Sequence, residues 1–150
     1  MASSRRPGRW LVVALVLLAG TALLVGVWAQ FFPRSFYTSF PNGRGRWVAV
    51  DGPYNEHLVR DVGGLNLALA VVTVVALVHR TAVLVRTAAL AWLVYSVPHF
   101  VYHSAHLDLY DGTDVALLIA SLAMAVVLPA WLFLDADRLT AAPAARAVEG

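Results

Sequence analysis

Residues 10–29 run for twenty positions without a charged side chain, with Trp10 and Trp28 near the two ends. At about 1.5 Å of rise per residue, a helix of that length matches a bilayer's hydrocarbon core of roughly 30 Å. Three more apolar stretches follow at residues 62–78, 82–102 and 115–134. Barrel strands need about ten residues of strict alternation, whereas these runs are long and unbroken, so they predict helices. With their polar flanks the four spans are expected at about 10–29, 54–79, 82–105 and 115–134. The predicted architecture is all-α: an integral membrane four-helix bundle forming one domain over residues 1–140. Residues 141–150, rich in Ala and Pro, are expected to be a disordered tail.

Arginines set the orientation. Arg5, Arg6 and Arg9 precede the first span, Arg80 and Arg86 flank the turn between the second and third, and Arg138 and Arg146 follow the fourth. That side holds seven arginines against three carboxylates, and the other holds four against six. The positive-inside tendency puts both termini in the cytoplasm and the first long loop outside. A competing reading takes residues 1–29 as a cleaved signal peptide, with residues 27–29 as a tolerable cleavage site. Trp28 at the boundary suits a retained anchor, and both readings put the first loop outside.

That loop carries Phe31, Phe32, Phe36, Tyr37 and Phe40 around Pro33 and Pro41. Such aromatic density predicts a segment lying in the membrane surface, serving either as an anchor or as a lid over an outward cavity. Residues 42–46 read as a turn, residues 47–50 as a short extended piece, and Asp51-Gly52-Pro53 as the cap and first turn of the second helix.

Composition narrows the function. The 150 residues are 60% hydrophobic and only 13% charged, with a mean hydropathy of +0.71, which leaves no room for a large soluble catalytic domain. The sequence has no cysteine, so thiolate metal sites, iron–sulfur clusters and a cysteine nucleophile are excluded. The net charge of +2 is spread without a basic run, so nucleic acid is not an expected partner.

The remaining chemistry gathers at one membrane face. On the second helix, Glu56 and Arg60 form an expected i,i+4 ion pair, and His57 and Asp61 an expected hydrogen-bonding or ligand pair. Gly63 and Gly64 follow, with Asn66 one turn deeper. On the third helix His99, His103 and His106 are spaced i, i+4, i+7 and form one stripe if the helix persists beyond Pro98. Counting along antiparallel helices brings His57 and Asp61 to the depth of His99 and His103. Imidazoles and a carboxylate converging there predict a Zn, Fe or Cu site with His57, Asp61, His99, His103 and His106 as ligands. Glu56, Arg60, Tyr54, Asn55, Tyr95 and Tyr102 stand around it as outer partners or substrate contacts. A haem held by two histidines is disfavoured. No complete H-E-x-x-H signature is present, because Phe100 follows His99. The opposing reading is a hydrogen-bond network that pins the outer helix ends. His79, beside Arg80, is expected to face solvent, and Asp108, Asp111 and Asp114 to be solvated or capping.

Residues 33–37, residues 52–63, and Pro98-His99-Phe100 with His103 and His106 resemble a family of small uncharacterised four-helix bacterial membrane proteins, over residues 10–135. Glu56, Arg60 and Gly63-Gly64 are more distantly similar to the DoxX-like superfamily, whose pattern lacks the histidine stripe. Neither resemblance implies an activity. Two functions follow from the residues. One is a membrane metalloprotein acting on an apolar or lipid-like substrate. The other is a non-enzymatic bundle that binds a lipid or a partner membrane protein through small residues such as Ala22, Gly26, Gly63 and Gly64, alone or as a homo-oligomer. Four spans without an internal repeat make a transporter a poor fit.

Overall fold

A computed structural model describes residues 8–41 and 46–140 of the chain. Its long helices are α1 (Gly8–Phe31), α3 (Glu56–His79), α4 (Ala82–Ser104) and α5 (Gly112–Thr140), with a short α2 (Pro33–Ser39) after α1. Single 3-10 turns occupy Ala49–Asp51 and Leu107–Leu109, and no strand occurs among the described residues. All four long helices have the length and apolar composition to cross a membrane. Leucines and valines such as Leu24, Leu65, Val83, Val94 and Leu134 stay exposed on the bundle's outside, as expected where lipid rather than water is the surrounding solvent.

Local chemistry sets the helix limits. α3 begins later than the sequence predicts. Gly52, at φ 149°, takes a conformation that an L side chain rarely adopts, so the chain turns there and Pro53 stays outside the helix. Asn55 is the N-cap, its side chain accepting the Leu58 amide at 3.2 Å, which satisfies one of the first-turn donors. Asp51 is therefore not the cap of α3, and residues 47–50, expected to be extended, enter a turn instead. The turn expected at residues 42–46 lies mostly outside the described residues. At the far end Arg80, in the left-handed conformation at φ 50°, closes α3, and Thr81 caps α4 by accepting the Leu84 amide. α5 outruns its apolar stretch because Asp135, Asp137 and Arg138 continue it. Arg138 pairs with Asp135 at 3.3 Å, and Asp137 receives Arg86 of α4 at 2.6 Å.

α1 lies along α3 and α4 along α5. Glycine allows the first pairing to be close. A Cβ on Gly63 would stand 2.8 Å from Gln30 Cα, and one on Gly26 would stand 3.0 Å from the Leu67 amide nitrogen. With no hydrophobic driving force between helices in lipid, contact of this kind is what holds them. Arg60 adds a polar tie, bonding both Glu56 and the carbonyl of Gln30 in the last turn of α1, where a helix leaves its carbonyls unpaired and favours a cation.

The two pairs meet in a core at the end of the bundle that carries the Arg80–Thr81 turn. Leu11, Leu15 and Leu18 of α1, Ala70 and Ala76 of α3, Val85, Ala88, Ala89 and Trp92 of α4, and Leu132 and Ala136 of α5 are all buried there. Trp92 donates its indole N–H to Thr73 Oγ1 at 2.9 Å, and Thr73 donates to the Leu69 carbonyl at 2.7 Å. Beyond Trp92 the pairs part.

Candidate functional site

The space left between the helix pairs is a cavity of about 1080 Å³. Thr21 and Val25 of α1 form part of its wall, with Val59, Val62 and Asn66 of α3, Tyr95, His99 and His103 of α4, and Leu118, Ser121, Leu122 and Ala125 of α5. Its deep end reaches Trp92. The segment between α1 and α3 supplies much of the remaining wall, including Phe36, Tyr37, Phe40, Trp47 and Tyr54.

This aromatic wall is held by specific contacts. Phe36 is buried against Ala29 and Val59, and its ring lies 4.7 Å from that of Phe40. Phe40 meets Trp47 edge to face at 6.2 Å, and Trp47 packs with Leu118 and Leu122 of α5. The Tyr37 ring lies 5.2 Å from that of Tyr54, tilted by 60°, and its hydroxyl donates to the Gly52 carbonyl at 2.6 Å. The segment expected to be either an aromatic surface anchor or a lid over an outward cavity contributes a short helix, with Phe36, Tyr37 and Phe40 lining the cavity. Phe31 and Phe32 remain exposed at its base.

The polar residues predicted as one site occupy three places. At the rim of the cavity Glu56 pairs with Arg60 at 2.8 Å, and His57 Nδ1 approaches Asp61 at 3.4 Å with the two side chains 87% and 55% exposed. Both i,i+4 pairs therefore form as the spacing predicts. On the opposite wall the His99 ring stacks on Tyr95 at 5.3 Å and meets the His103 ring edge to face at 4.6 Å. His106 leaves the stripe. α4 ends at Ser104, and the chain turns with the His106 amide on the His103 carbonyl. The His106 ring folds back onto Tyr102, stacked at 4.3 Å, with Nδ1 2.7 Å from the Tyr102 carbonyl. Among the described residues no three His, Asp or Glu side chains converge into a group able to hold a metal ion. The five-residue shell expected around Zn, Fe or Cu is not assembled in this conformation. Tyr54 reaches Glu56 at 3.4 Å through its hydroxyl, and Asn55 serves as the cap of α3.

Three residues of the site were hidden from sequence reasoning. His103, almost fully buried, pairs through Nδ1 with the Tyr110 hydroxyl at 3.1 Å, and Tyr110 donates to the Trp47 carbonyl at 3.1 Å. Asp51, in the loop before α3, is the carboxylate whose charge falls on His103 and His106. Burial raises its carboxyl above the ordinary carboxylate range, while His103 and His106 draw it back down. Tyr110 is pushed up to about 12, first by burial and then by Asp51 and Tyr102. No periodicity links Trp47, Asp51 and Tyr110 to His103, because two chain reversals bring them together. The one hint in the chain is the density of aromatics on both sides of the second and third spans.

Comparisons with protein-family models, with curated proteins and with solved structures yield no match. The DoxX-like resemblance gains no support from them and is carried no further.

Proposed function

We propose that this protein is a membrane-embedded binder of an apolar or lipid-like small molecule, held between the two helix pairs. The cavity carries this reading: its volume of about 1080 Å³ exceeds the usual range of roughly 300–1,000 Å³ for small-molecule sites. Its aliphatic and aromatic wall is interrupted by polar groups, Asn66, Ser121, His99 and His103 among them. That composition fixes the orientation of an otherwise greasy ligand. The arginine distribution supports a cytoplasmic location for both termini, which opens the cavity toward the exterior and the outer leaflet. The aromatics of α2 then lie at headgroup level, where their rings are favoured. In this reading the histidines act as hydrogen-bonding groups.

Protein reconstituted in lipid nanodiscs and titrated with 4-nonylanisole tests the proposal. Trp47 and Trp92 line the cavity and report occupancy by their fluorescence. Saturable binding is expected, weakened at least about tenfold in the double variant Val62→Phe with Ala125→Phe, which fills the space; such a change corresponds to about 1.4 kcal/mol. Simple partitioning without saturation, or equal binding by the filled variant, would overturn it.

A further inference from the structure

The polar face of the cavity carries information about the head of the ligand. A carbonyl oxygen only accepts hydrogen bonds, so the one proton of the Tyr110 hydroxyl is committed to the Trp47 carbonyl. The contact between Tyr110 and His103 Nδ1 then requires the ring nitrogen to be the donor. A neutral His103 with Nδ1 protonated has a bare Nε2. Among the described residues that atom has no hydrogen-bond partner, and His103 lines the cavity.

The indole N–H of Trp47 is buried away from the cavity space, so the open hydrogen-bonding position on this wall is the acceptor on His103. A bare acceptor on one side of an apolar cavity suits a head group that donates a proton. Among the described residues the lining also includes the carboxylates Asp51 and Glu56 and no arginine, and Arg60 at the rim is already paired with Glu56, so this lining favours no anionic head. Desolvation of an ammonium head costs far more than that of a neutral hydroxyl.

Resting on the cavity-binding reading above, we infer that the occupant is an apolar alcohol or phenol whose hydroxyl donates to His103 Nε2. Tyr110 is the positioning residue that holds the His103 ring in the required tautomer. The apolar body of the ligand then extends along Val62, Leu122 and Ala125 toward the floor at Trp92.

The experiment compares 4-nonylphenol with 4-nonylanisole, which differ in the hydroxyl proton and a methyl group, in protein-containing nanodiscs after subtraction of partitioning into empty ones. The phenol is expected to bind about tenfold more tightly, the ratio for one well-made hydrogen bond. His103→Phe, which keeps an aromatic ring, should bring the ratio close to one. If both probes saturate with equal affinity in the natural protein, the hydroxyl inference fails while the cavity-binding reading stands. If neither saturates, the cavity-binding reading itself fails. Tighter binding of nonylammonium than of the phenol would make Asp51 the determinant and overturn the inference. Nitrogen-15 NMR of histidine-labelled natural protein gives a check that needs no variant: His103 should carry its proton on Nδ1, shifting to a mixture in Tyr110→Phe. A proton on Nε2 of His103 in the natural protein would overturn the assignment.

Discussion

The two ends of this bundle solve the same packing problem differently. At the end with the Arg80–Thr81 turn, small and aliphatic side chains let all four long helices close on one another, and Trp92 is fully buried with its N–H satisfied. At the other end the helix pairs separate, and the gap is walled by aromatics from a connecting segment and by imidazoles from α4. Rings on a short helix and a turn reach across a space that helix backbones leave open. The closed end supplies rigidity and the open end supplies volume, so perturbing them should have separable consequences.

The largest effect is expected from Trp92→Ala. The lipid around an unfolded helix is as apolar as the core, so the transfer part of the usual penalty shrinks and the cavity left by the indole dominates. A loss of about 3 kcal/mol is expected in reversible unfolding in mixed micelles, on the scale of large-to-small core substitutions. Because Trp92 also forms the floor of the cavity, probe binding should weaken with it. A stability loss below about 1 kcal/mol, the range of an average substitution, would show that the closed end is not the anchor of the fold.

A smaller effect separates two adjacent glycines. A Cβ on Gly63 meets the backbone of Gln30, which cannot swing aside, whereas one on Gly64 meets only Gln30 Oε1 at 3.6 Å. Gly63→Ala should therefore cost about 1–3 kcal/mol through overpacking, and Gly64→Ala should be close to neutral. Unfolding curves of the two variants measured side by side check this, and equal stabilities would mean that α1 and α3 are not locked by backbone contact.

These contrasts also show what was legible in the sequence. The four spans and the pairs Glu56–Arg60 and His57–Asp61 depend on neighbours within one helix, and periodicity encodes those directly. Depth along a helix is legible too: His57, His99 and His103 all line the cavity, while Asp61 and His106 do not. Azimuth is not legible, because nothing in a single helix tells which flank meets which partner. His57 therefore lies at an exposed rim beside Asp61, while His103 is buried opposite. The helix end after Ser104 was equally hidden, and it takes His106 out of the predicted stripe. Read as sequence, Asp51-Gly52-Pro53 predicts a helix start capped by Asp51. The required φ at Gly52 instead turns the chain and leaves the carboxylate at the cavity.

The subtlest distinction between the ends is electrostatic and lies at Tyr110. Its hydroxyl is pushed up to about 12 from an ordinary value of 10.0, by burial first and then by Asp51 and Tyr102. Below pH 10 folded and unfolded chains both keep this proton, so the shift contributes nothing. Between pH 10 and about 12 the unfolded chain releases it while the folded chain retains it. The folded state then binds more protons, and stability falls as pH rises through that window. Absorbance titration should show this phenolate forming last among the solvent-accessible tyrosines, and Tyr110→Phe should flatten the stability slope between pH 10 and 12. Asp51→Asn should move the titration only part of the way back, because burial is the larger cause. A full return to 10 in that variant would make Asp51 the larger cause of the shift, and an unchanged slope in Tyr110→Phe would assign the titration to another of the five tyrosines.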